Sequence, residues 1–134
     1  MDNNKVYIFD STLRDGAQAK GISFSLSDKL HMLKLLDSLG IDYIEAGNPA
    51  SNPKEKMFFE KAKELKLQYA KLTAFGSTRR KNSCMSDDPG IQALLSAETD
   101  VVAIFGKTWD MHVTHILQTT LEENLNMVRE TISF

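Results

Sequence analysis

The chain has 134 residues, of which 42% are hydrophobic, and its 16 basic and 18 acidic residues give a formal charge of -2. Because the two signs are interspersed, the sequence has no electrostatic footprint for nucleic acid or an anionic membrane, and we expect neither as a partner. The chain begins with polar residues, its longest wholly apolar run is 101–105, and Cys84 is its single cysteine. These features predict a cytoplasmic protein without a spanning helix, a signal peptide or an internal disulfide.

The first predicted unit is a strand, a polar loop and a helix. Lys5 to Phe9 has the apolar character of a short buried strand, and Gly16 lets the backbone turn at its carboxyl end. Ser25-Leu-Ser-Asp28 predicts the start of a helix through a capping box, and Gly40 predicts its end. One face of this helix is apolar and contains Leu26, Leu30, Leu33 and Leu36.

The second unit repeats this pattern. Ile41 to Ala46 is predicted to be the second strand, and Tyr69 to Phe75 the third. Pro53 suits the first position of the helix between them, because that position needs no backbone N–H donor. The apolar stripe of this helix contains Met57, Phe58, Ala62 and Leu65.

The rest of the chain predicts a loop, two helices and a fourth strand. The polar stretch from Gly76 to Gly90 is long for a connection in a compact domain and leaves a strand's carboxyl end, which favours lining a site, with disorder as the alternative. Val101 to Phe105 is typical of a buried parallel strand. Ile91, Leu94 and Leu95 mark the third helix, and the capping box Thr120-Leu-Glu-Glu123 opens a fourth with a buried stripe of Leu121, Leu125, Val128 and Ile132.

The predicted strands start near Val6, Ile41, Tyr69 and Val101, a spacing that suits repeated βα units rather than a sandwich. Four such units predict a parallel sheet in the order 1-2-3-4, with right-handed crossovers and helices on one face. The same alternation fits an open doubly wound sheet, so the spacing does not select a barrel. A complete eight-stranded α/β barrel needs about 250 residues, so this chain is expected to supply only part of one.

Charged residues follow the first two strands where each strand ends. Arg14 offers a planar fork of donors for an enolate or carboxylate oxygen, and Asp15 is a hard oxygen ligand of the kind that divalent cations take. Glu45 ends the second strand, so parallel pairing would bring it to the same rim. A solvated ion pair at Arg14 and Asp15, and a carboxylate that only caps a loop at Glu45, are the alternatives.

Four stretches together resemble one enzyme family: Asp10-Ser-Thr-Leu-Arg-Asp-Gly-Ala-Gln18, Gly21 to Lys29, Ile44-Glu-Ala-Gly-Asn-Pro49 and Leu72 to Lys81. This is the family of metal-dependent, Claisen-condensing acyltransferases that includes the isopropylmalate, homocitrate and citramalate synthases, with hydroxymethylglutaryl-CoA lyase as a relative. The pattern is most similar to the citramalate synthase branch. The resemblance implies a parallel (β/α)8 TIM barrel, of which residues 1–134 would be the N-terminal half, about the first four βα units.

The resemblance also implies the chemistry. Acetyl-CoA would condense with an α-keto acid, most favourably pyruvate to give citramalate, with the help of Mg²⁺ or Mn²⁺, or alternatively Zn²⁺. Asp15 would be one metal ligand, whereas the family's His-x-His pair and its catalytic base are not in these residues and are expected beyond Phe134. Arg14 would act in catalysis by stabilising the oxyanion. The residues implied to contact substrate are Arg14, Gln18, Glu45 and Thr73.

Several alternatives stay open at this stage. The enzyme could be an isopropylmalate or homocitrate synthase or a retro-Claisen lyase, or the chain could be a non-catalytic half-barrel that serves assembly. The chain alone is expected to be inactive, because one protein ligand holds a catalytic metal poorly, and its unpaired sheet edges predict a homo-oligomer. Thr73 is predicted to face the barrel interior, with a hydroxyl satisfied by backbone as the alternative. The cations of Arg79-Arg80-Lys81 could meet the phosphates of coenzyme A, or could form a solvated face.

Overall fold

A computed structural model describes residues 5–134 and contains a four-stranded parallel sheet in the order β1-β2-β3-β4. This order confirms the prediction of successive βα units and excludes the 2-1-3-4 order of a doubly wound sheet. Within the described range, no helix is both long and apolar enough to cross a membrane. The elements are β1 (Phe9–Asp10), α1 (Leu26–Ser38), β2 (Tyr43–Glu45), α2 (Pro53–Ala62), β3 (Lys71–Ser77), α3 (Pro89–Ala97), β4 (Val101–Phe105) and α4 (Leu121–Ser133), with a 3-10 turn at Gly16–Gln18 and a π-helical turn at His112–Ile116.

The helix boundaries follow the capping residues that the sequence indicates. Ser25 accepts a hydrogen bond from the Asp28 N–H and the Asp28 carboxylate accepts one from the Ser25 N–H, so the predicted capping box forms. Gly40, with φ of 77°, takes the left-handed conformation just after α1. Pro53 is the first residue of α2, and Asn52 caps that helix.

The third strand starts two residues later than predicted, at Lys71 rather than Tyr69. The N–H groups of Gln68, Tyr69 and Ala70 donate to the carboxylate of Asp37 at 2.8 to 2.9 Å instead of joining the sheet. Burial pushes the pKa of Asp37 upward, but these three hydrogen bonds outweigh it and leave the pKa below its usual value. A side chain from α1 therefore fixes where β3 begins.

Side chains alternate between the two faces of the sheet. Ile44 and Ala74 are fully buried and, together with Leu72, pack against α1, α2 and α3. The other face carries Glu45 and Thr73, which are paired in register across β2 and β3. Thr73 therefore lies on the face opposite the helices, as the parity of the strand predicts.

The first strand is shorter and more exposed than predicted. Only Phe9 and Asp10 form β1, and the exposed fractions are 82% for Val6 and 50% for Phe9. The prediction of a buried strand from Lys5 to Phe9 is wrong because β1 is an edge of the described sheet, with a neighbour on one side only. The segment is still held to β2, since the Tyr43 N–H donates to the Ile8 carbonyl at 3.0 Å.

Three of the four residues in the predicted apolar stripe of α4 are exposed rather than buried, and the fourth, Val128, is partly buried. Leu121, Leu125 and Ile132 are 51%, 60% and 69% exposed, whereas Asn124 and Met127 are buried. The described sheet ends at β4 and offers no strand for the stripe to cover. The helix is instead turned so that its acidic side meets the loop after β3.

The apolar stripes of the other helices are confirmed in large part. Leu33 and Leu36 of α1 are buried as predicted, and Phe58 and Ala62 of α2 are too. One predicted position in α2 and one in α3 face outward instead: Met57 is 47% exposed and Leu95 is 53% exposed.

Candidate active site

Arg14 and Glu45 form an ion pair at the carboxyl rim of the sheet. The Arg14 Nε donates to Glu45 Oε2 at 2.6 Å, and the Glu45 side chain is only 3% exposed. Glu45 ends β2, and Arg14 lies in the loop after β1, so the parallel pairing of these strands brings them together. A buried carboxylate of this kind fixes the guanidinium strongly, because an ion pair out of water is poorly screened.

The ring of Phe75 supports the same guanidinium from a third strand. The Arg14 Cζ lies 4.4 Å from the ring centroid, a distance at which a cation is attracted to an aromatic face. The parity of β3 predicts that Phe75 and Thr73 share a face, but a role for Phe75 beside Arg14 was not predicted. Nothing in the sequence alone shows which cation an aromatic ring on a strand will meet.

Thr73 is adjacent in register to Glu45, and its side chain is fully buried. Its Oγ1 has no hydrogen-bond partner within residues 5–134, which contradicts the alternative of a hydroxyl satisfied by the backbone. A buried hydroxyl without a partner is destabilising, and such groups in native proteins commonly await water or a ligand.

Asp15 and Gln18 lie at the edge of the cluster. Asp15 Oδ1 is 3.3 Å from Arg14 Nη1, and the Asp15 side chain is 66% exposed, so its carboxylate is open to a ligand from solution. Gln18 is exposed at the end of a 3-10 turn, and its N–H donates to the Asp15 carbonyl. The structure thus brings Arg14, Asp15 and Glu45 together, while Gln18 contacts this group through its backbone only.

Asp15 fits a metal as a single oxygen ligand, but the rest of the donor set is committed elsewhere. Glu45 is held by Arg14, and Asp10 accepts hydrogen bonds from the N–H and the hydroxyl of Thr12. Between residues 5 and 134 there is no group of three His, Cys, Asp or Glu side chains that could hold a metal ion.

Arg79 does not serve as a free cation for a phosphate. Its Nη1 donates to Glu123 at 2.8 Å and its Nε to Glu130 at 2.5 Å, both on α4, and its side chain is 5% exposed. These two hydrogen bonds, first that to Glu123, raise the pKa of the guanidinium above its ordinary value. Neither alternative for the cluster, phosphate binding or a solvated face, therefore describes Arg79. The capping box predicted at Thr120-Leu-Glu-Glu123 therefore forms only in part. The Glu123 N–H donates to the Thr120 hydroxyl, but the Glu123 carboxylate accepts from Arg79.

All three residues of the cluster line a cavity of about 440 Å³ at the rim beside β3 and β4, but within the described residues only Arg80 and Lys81 of the three are not engaged with carboxylates. Arg80 is exposed, and Lys81 Nζ donates to the Gln118 carbonyl at 3.0 Å. A further cation of the lining, Lys107, lies 4.9 Å from the ring centroid of Phe105 and was not singled out from the sequence. The apolar part of the lining is Phe105, Ile116, Leu117 and Met127.

Comparison with known proteins gives consistent results. A family model described as HMGL-like matches residues 5–134. An (R)-citramalate synthase of Aquifex aeolicus is 59% identical over 130 residues, which cover 97% of this chain and 25% of that protein. Four other proteins of that name are 42% to 50% identical. A 2-isopropylmalate synthase of Sulfolobus acidocaldarius is 34% identical over 137 residues, covering 100% of this chain and 33% of that protein.

The chain spans about a quarter of the length of the (R)-citramalate synthases that it matches. Among solved structures, the HMG-CoA lyase of Bacillus subtilis matches 96% of this chain and 42% of its own, with a TM-score of 0.68 and 19% identity. Likeness at that identity concerns the fold. It confirms that the four parallel strands belong to a partial TIM barrel.

Proposed function

The chain belongs to the HMGL-like family, and we propose that it is part of an acyltransferase that condenses acetyl-CoA with an α-keto acid. The favoured α-keto acid is pyruvate, which would give citramalate, because the relatives named (R)-citramalate synthase are 42–59% identical and the 2-isopropylmalate synthase is 34% identical. Residues 1–134 are then the N-terminal half of the catalytic barrel, and other parts of the protein complete it.

The observation that carries this proposal is the fixed guanidinium of Arg14 beside the exposed carboxylate of Asp15. Glu45 and Phe75 hold Arg14, yet within the described residues its Nη2 has no partner, so donors remain for a ligand. In a Claisen condensation, negative charge develops on an enolate or alkoxide oxygen, and a fixed cation that faces this oxygen lowers the barrier. Arg14 is suited to that task, or to the carboxylate of the keto acid.

Asp15 would hold the divalent metal that the family implies, with its other ligands supplied from outside residues 5–134. When bound, such a metal supplies Lewis-acid polarisation of the ketone. Asp15 and Arg14 are thereby assigned different tasks, one in metal binding and one in charge stabilisation. The unpartnered Thr73 hydroxyl faces the same interior and is assigned to a polar substrate atom, and the Gln18 amide to a carbonyl or a water at the rim.

The cavity beside β3 and β4 suits the coenzyme. Arg80, Lys81 and Lys107 supply positive charge for phosphates, and the apolar wall that includes Phe105 and Ile116 suits a pantetheine arm. The cavity lies at the same rim as Arg14, since both follow strand carboxyl ends in a parallel sheet. We therefore assign acetyl-CoA to this side of the site.

The reaction is tested with the full-length protein by following release of the coenzyme A thiol from acetyl-CoA. Pyruvate, 3-methyl-2-oxobutanoate and 2-oxoglutarate are compared, each with Mg²⁺ or Mn²⁺. The proposal expects the highest kcat/KM with pyruvate. A preference for 3-methyl-2-oxobutanoate would identify the protein as an isopropylmalate synthase instead. Cleavage of a 3-hydroxyacyl-CoA in place of condensation would identify a lyase.

The exposed edges at β1 and β4 and the apolar stripe of α4 also support association. Phe9, Phe105 and Leu125 are each about half exposed or more. Exposed apolar side chains beside open sheet edges favour association with another protein chain. We expect the 134-residue chain by itself to self-associate and to lack turnover. Light scattering at low protein concentration checks this, and a well-behaved monomer would contradict it.

A further inference from the structure

Lys29 is buried behind the active-site rim, on the helix side of β2. Its side chain is 2% exposed, and its Nζ donates to the Ala46 carbonyl at 2.6 Å and to both carboxylate oxygens of Glu55, at 2.7 and 2.8 Å. The ammonium also lies 4.7 Å from the ring centroid of Phe58. An α1 cation, an α2 carboxylate and the end of β2 therefore meet at one point.

Gly47 shows how closely this ion pair approaches the strand end. A Cβ at this position would lie 2.0 Å from Glu55 Oε2 and 3.1 Å from Lys29 Nζ. Gly47 also has φ of 130°, which side chains rarely adopt. A side chain at this position would therefore displace the Glu55 carboxylate and crowd the ammonium.

The backbone that Lys29 holds is connected to both partners of Arg14: it follows Glu45 directly and is hydrogen-bonded to Phe75. Ala46 directly follows Glu45, and its N–H donates to the Thr73 carbonyl at 3.0 Å. The Phe75 N–H donates to the Gly47 carbonyl at 2.9 Å. A shift of residues 46–47 would therefore move both the carboxylate and the aromatic ring that fix Arg14.

Packing alone does not require an ammonium at this place. Burial lowers the pKa of Lys29, so the charged form is disfavoured there, and the hydrogen bonds that Lys29 donates to Glu55 only partly offset this. Apolar residues of similar volume commonly replace a buried ion pair without loss of stability. What they cannot replace is the hydrogen bond to the Ala46 carbonyl.

We propose that Lys29 is a positioning residue, which anchors the Ala46 carbonyl and thereby keeps Glu45 and Phe75 in place around Arg14. The inference rests on the proposed function in one respect, namely that Arg14 acts in catalysis. The placement of Arg14 itself is measurable without any turnover.

The test uses the full-length protein with Lys29→Met and Glu55→Met combined, which removes both charges and leaves no buried carboxylate unpaired. With ¹⁵N-labelled arginine, the Arg14 Nε–H signal is identified by its loss in Arg14→Lys. In the double variant we expect this signal to move toward that of an exposed arginine and its exchange with water to become about tenfold faster or more. We also expect kcat to fall about tenfold or more, with a smaller change in KM.

Lys63→Met is the matched control. Lys63 Nζ likewise donates to a carbonyl, that of Ser96, and to a carboxylate, that of Glu98, both at 2.7 Å but at the far end of α3. Its loss should leave the Arg14 signal unchanged. Glu55→Gln gives a second measurement that does not depend on the double variant, because Lys29 keeps its bond to Ala46 and the Arg14 signal should stay in place.

Three outcomes decide between the ideas. A folded double variant with an unchanged Arg14 signal overturns the positioning role. If the Arg14 Nε–H signal shifts as far in Glu55→Gln as in the double variant, the positioning role is also overturned. The ion pair, rather than the hydrogen bond to the Ala46 carbonyl, would then hold Arg14 in place. If the wild-type protein condenses no α-keto acid, the proposed function fails, while the Arg14 signal still decides the role of Lys29.

Discussion

Arg14 and Arg79 each lie in the loop that follows a strand, and their surroundings differ. Arg14, after β1, has one buried carboxylate and one aromatic ring, and its side chain is 26% exposed. Arg79, after β3, has two carboxylates from α4, donates also to the Arg80 carbonyl, and is 5% exposed. The first guanidinium is held but remains accessible to a ligand, whereas the second is buried and its charge is already balanced by two carboxylates.

The difference separates an arginine that can act on a ligand from one that holds the fold. A buried guanidinium that two carboxylates already neutralise gains little from a substrate anion, because the anion would have to displace one of them. A fixed guanidinium with free donors loses little on binding, since its orientation is already set. The same substitution at both positions should therefore give opposite results.

The largest effect is expected for Arg14→Lys in the full-length protein. Lysine keeps the charge but loses the planar fork, so kcat should fall by about 10² or more, while the free energy of unfolding stays nearly unchanged. Thiol release and thermal unfolding measure the two quantities. Arg129→Lys on the exposed side of α4, where Arg129 Nη1 donates to Asn126 Oδ1, is the control. An unchanged kcat in Arg14→Lys would contradict the assignment of Arg14 as the arginine that acts on a ligand.

Arg79→Lys should show the reverse pattern. A lysine cannot reach Glu123, Glu130 and the Arg80 carbonyl together, so the free energy of unfolding should fall by about 2 kcal/mol. Denaturant unfolding of the full-length protein measures this. A variant as stable as the wild type would show that the hydrogen bonds of Arg79 to α4 contribute nothing to the free energy of unfolding.

Asp15→Asn sharpens the contrast between the two carboxylates near Arg14. Asparagine keeps the size but not the negative charge, so we expect metal affinity to fall about tenfold and excess metal to restore part of the activity. Titration calorimetry with Mn²⁺ reads the affinity directly. Normal metal binding by the variant would remove Asp15 from the ligand set, even if the fold is right.

The smallest effect is expected at Asp88, which fixes the loop beyond Arg79. Its carboxylate accepts hydrogen bonds from the N–H groups of Arg80, Gly90 and Ile91 and from the Ser83 hydroxyl. Burial acts to raise the pKa of Asp88, yet these hydrogen bonds lower it overall.

Because the folded pKa of Asp88 is depressed, its contribution to stability is fully present above the unfolded value of about 4 and is lost as pH falls through the folded value. Asp88→Asn should cost about 1 kcal/mol at pH 7. The gap to the wild type should close as the medium is acidified below about pH 4. Denaturant midpoints at several pH values measure it, and a gap that does not depend on pH would assign the effect to shape rather than charge.

The sequence predicts the strand order, the caps that open α1 and α2, and a common rim for Asp15 and Glu45, because these depend on local pattern and on parallel pairing. It does not predict which face of α4 is exposed, since an apolar stripe does not say whether a strand lies beneath it. Arg79 and Lys29 look like ordinary surface cations in the sequence. Their roles depend on partners tens of residues away, and only the folded chain shows them.

The strand order has a consequence for how the chain folds. Each strand pairs only with its neighbours in sequence, as Phe9 does with Tyr43 and Thr73 with Val101, so every sheet contact closes a segment of about 30 residues. Loop-closure entropy is then similar at each step, and the sheet can grow one unit at a time. Arg14 has both Glu45 and Phe75 in place once β3 has joined the sheet. Arg79 gains its two carboxylate partners only when α4 packs against the loop after β3.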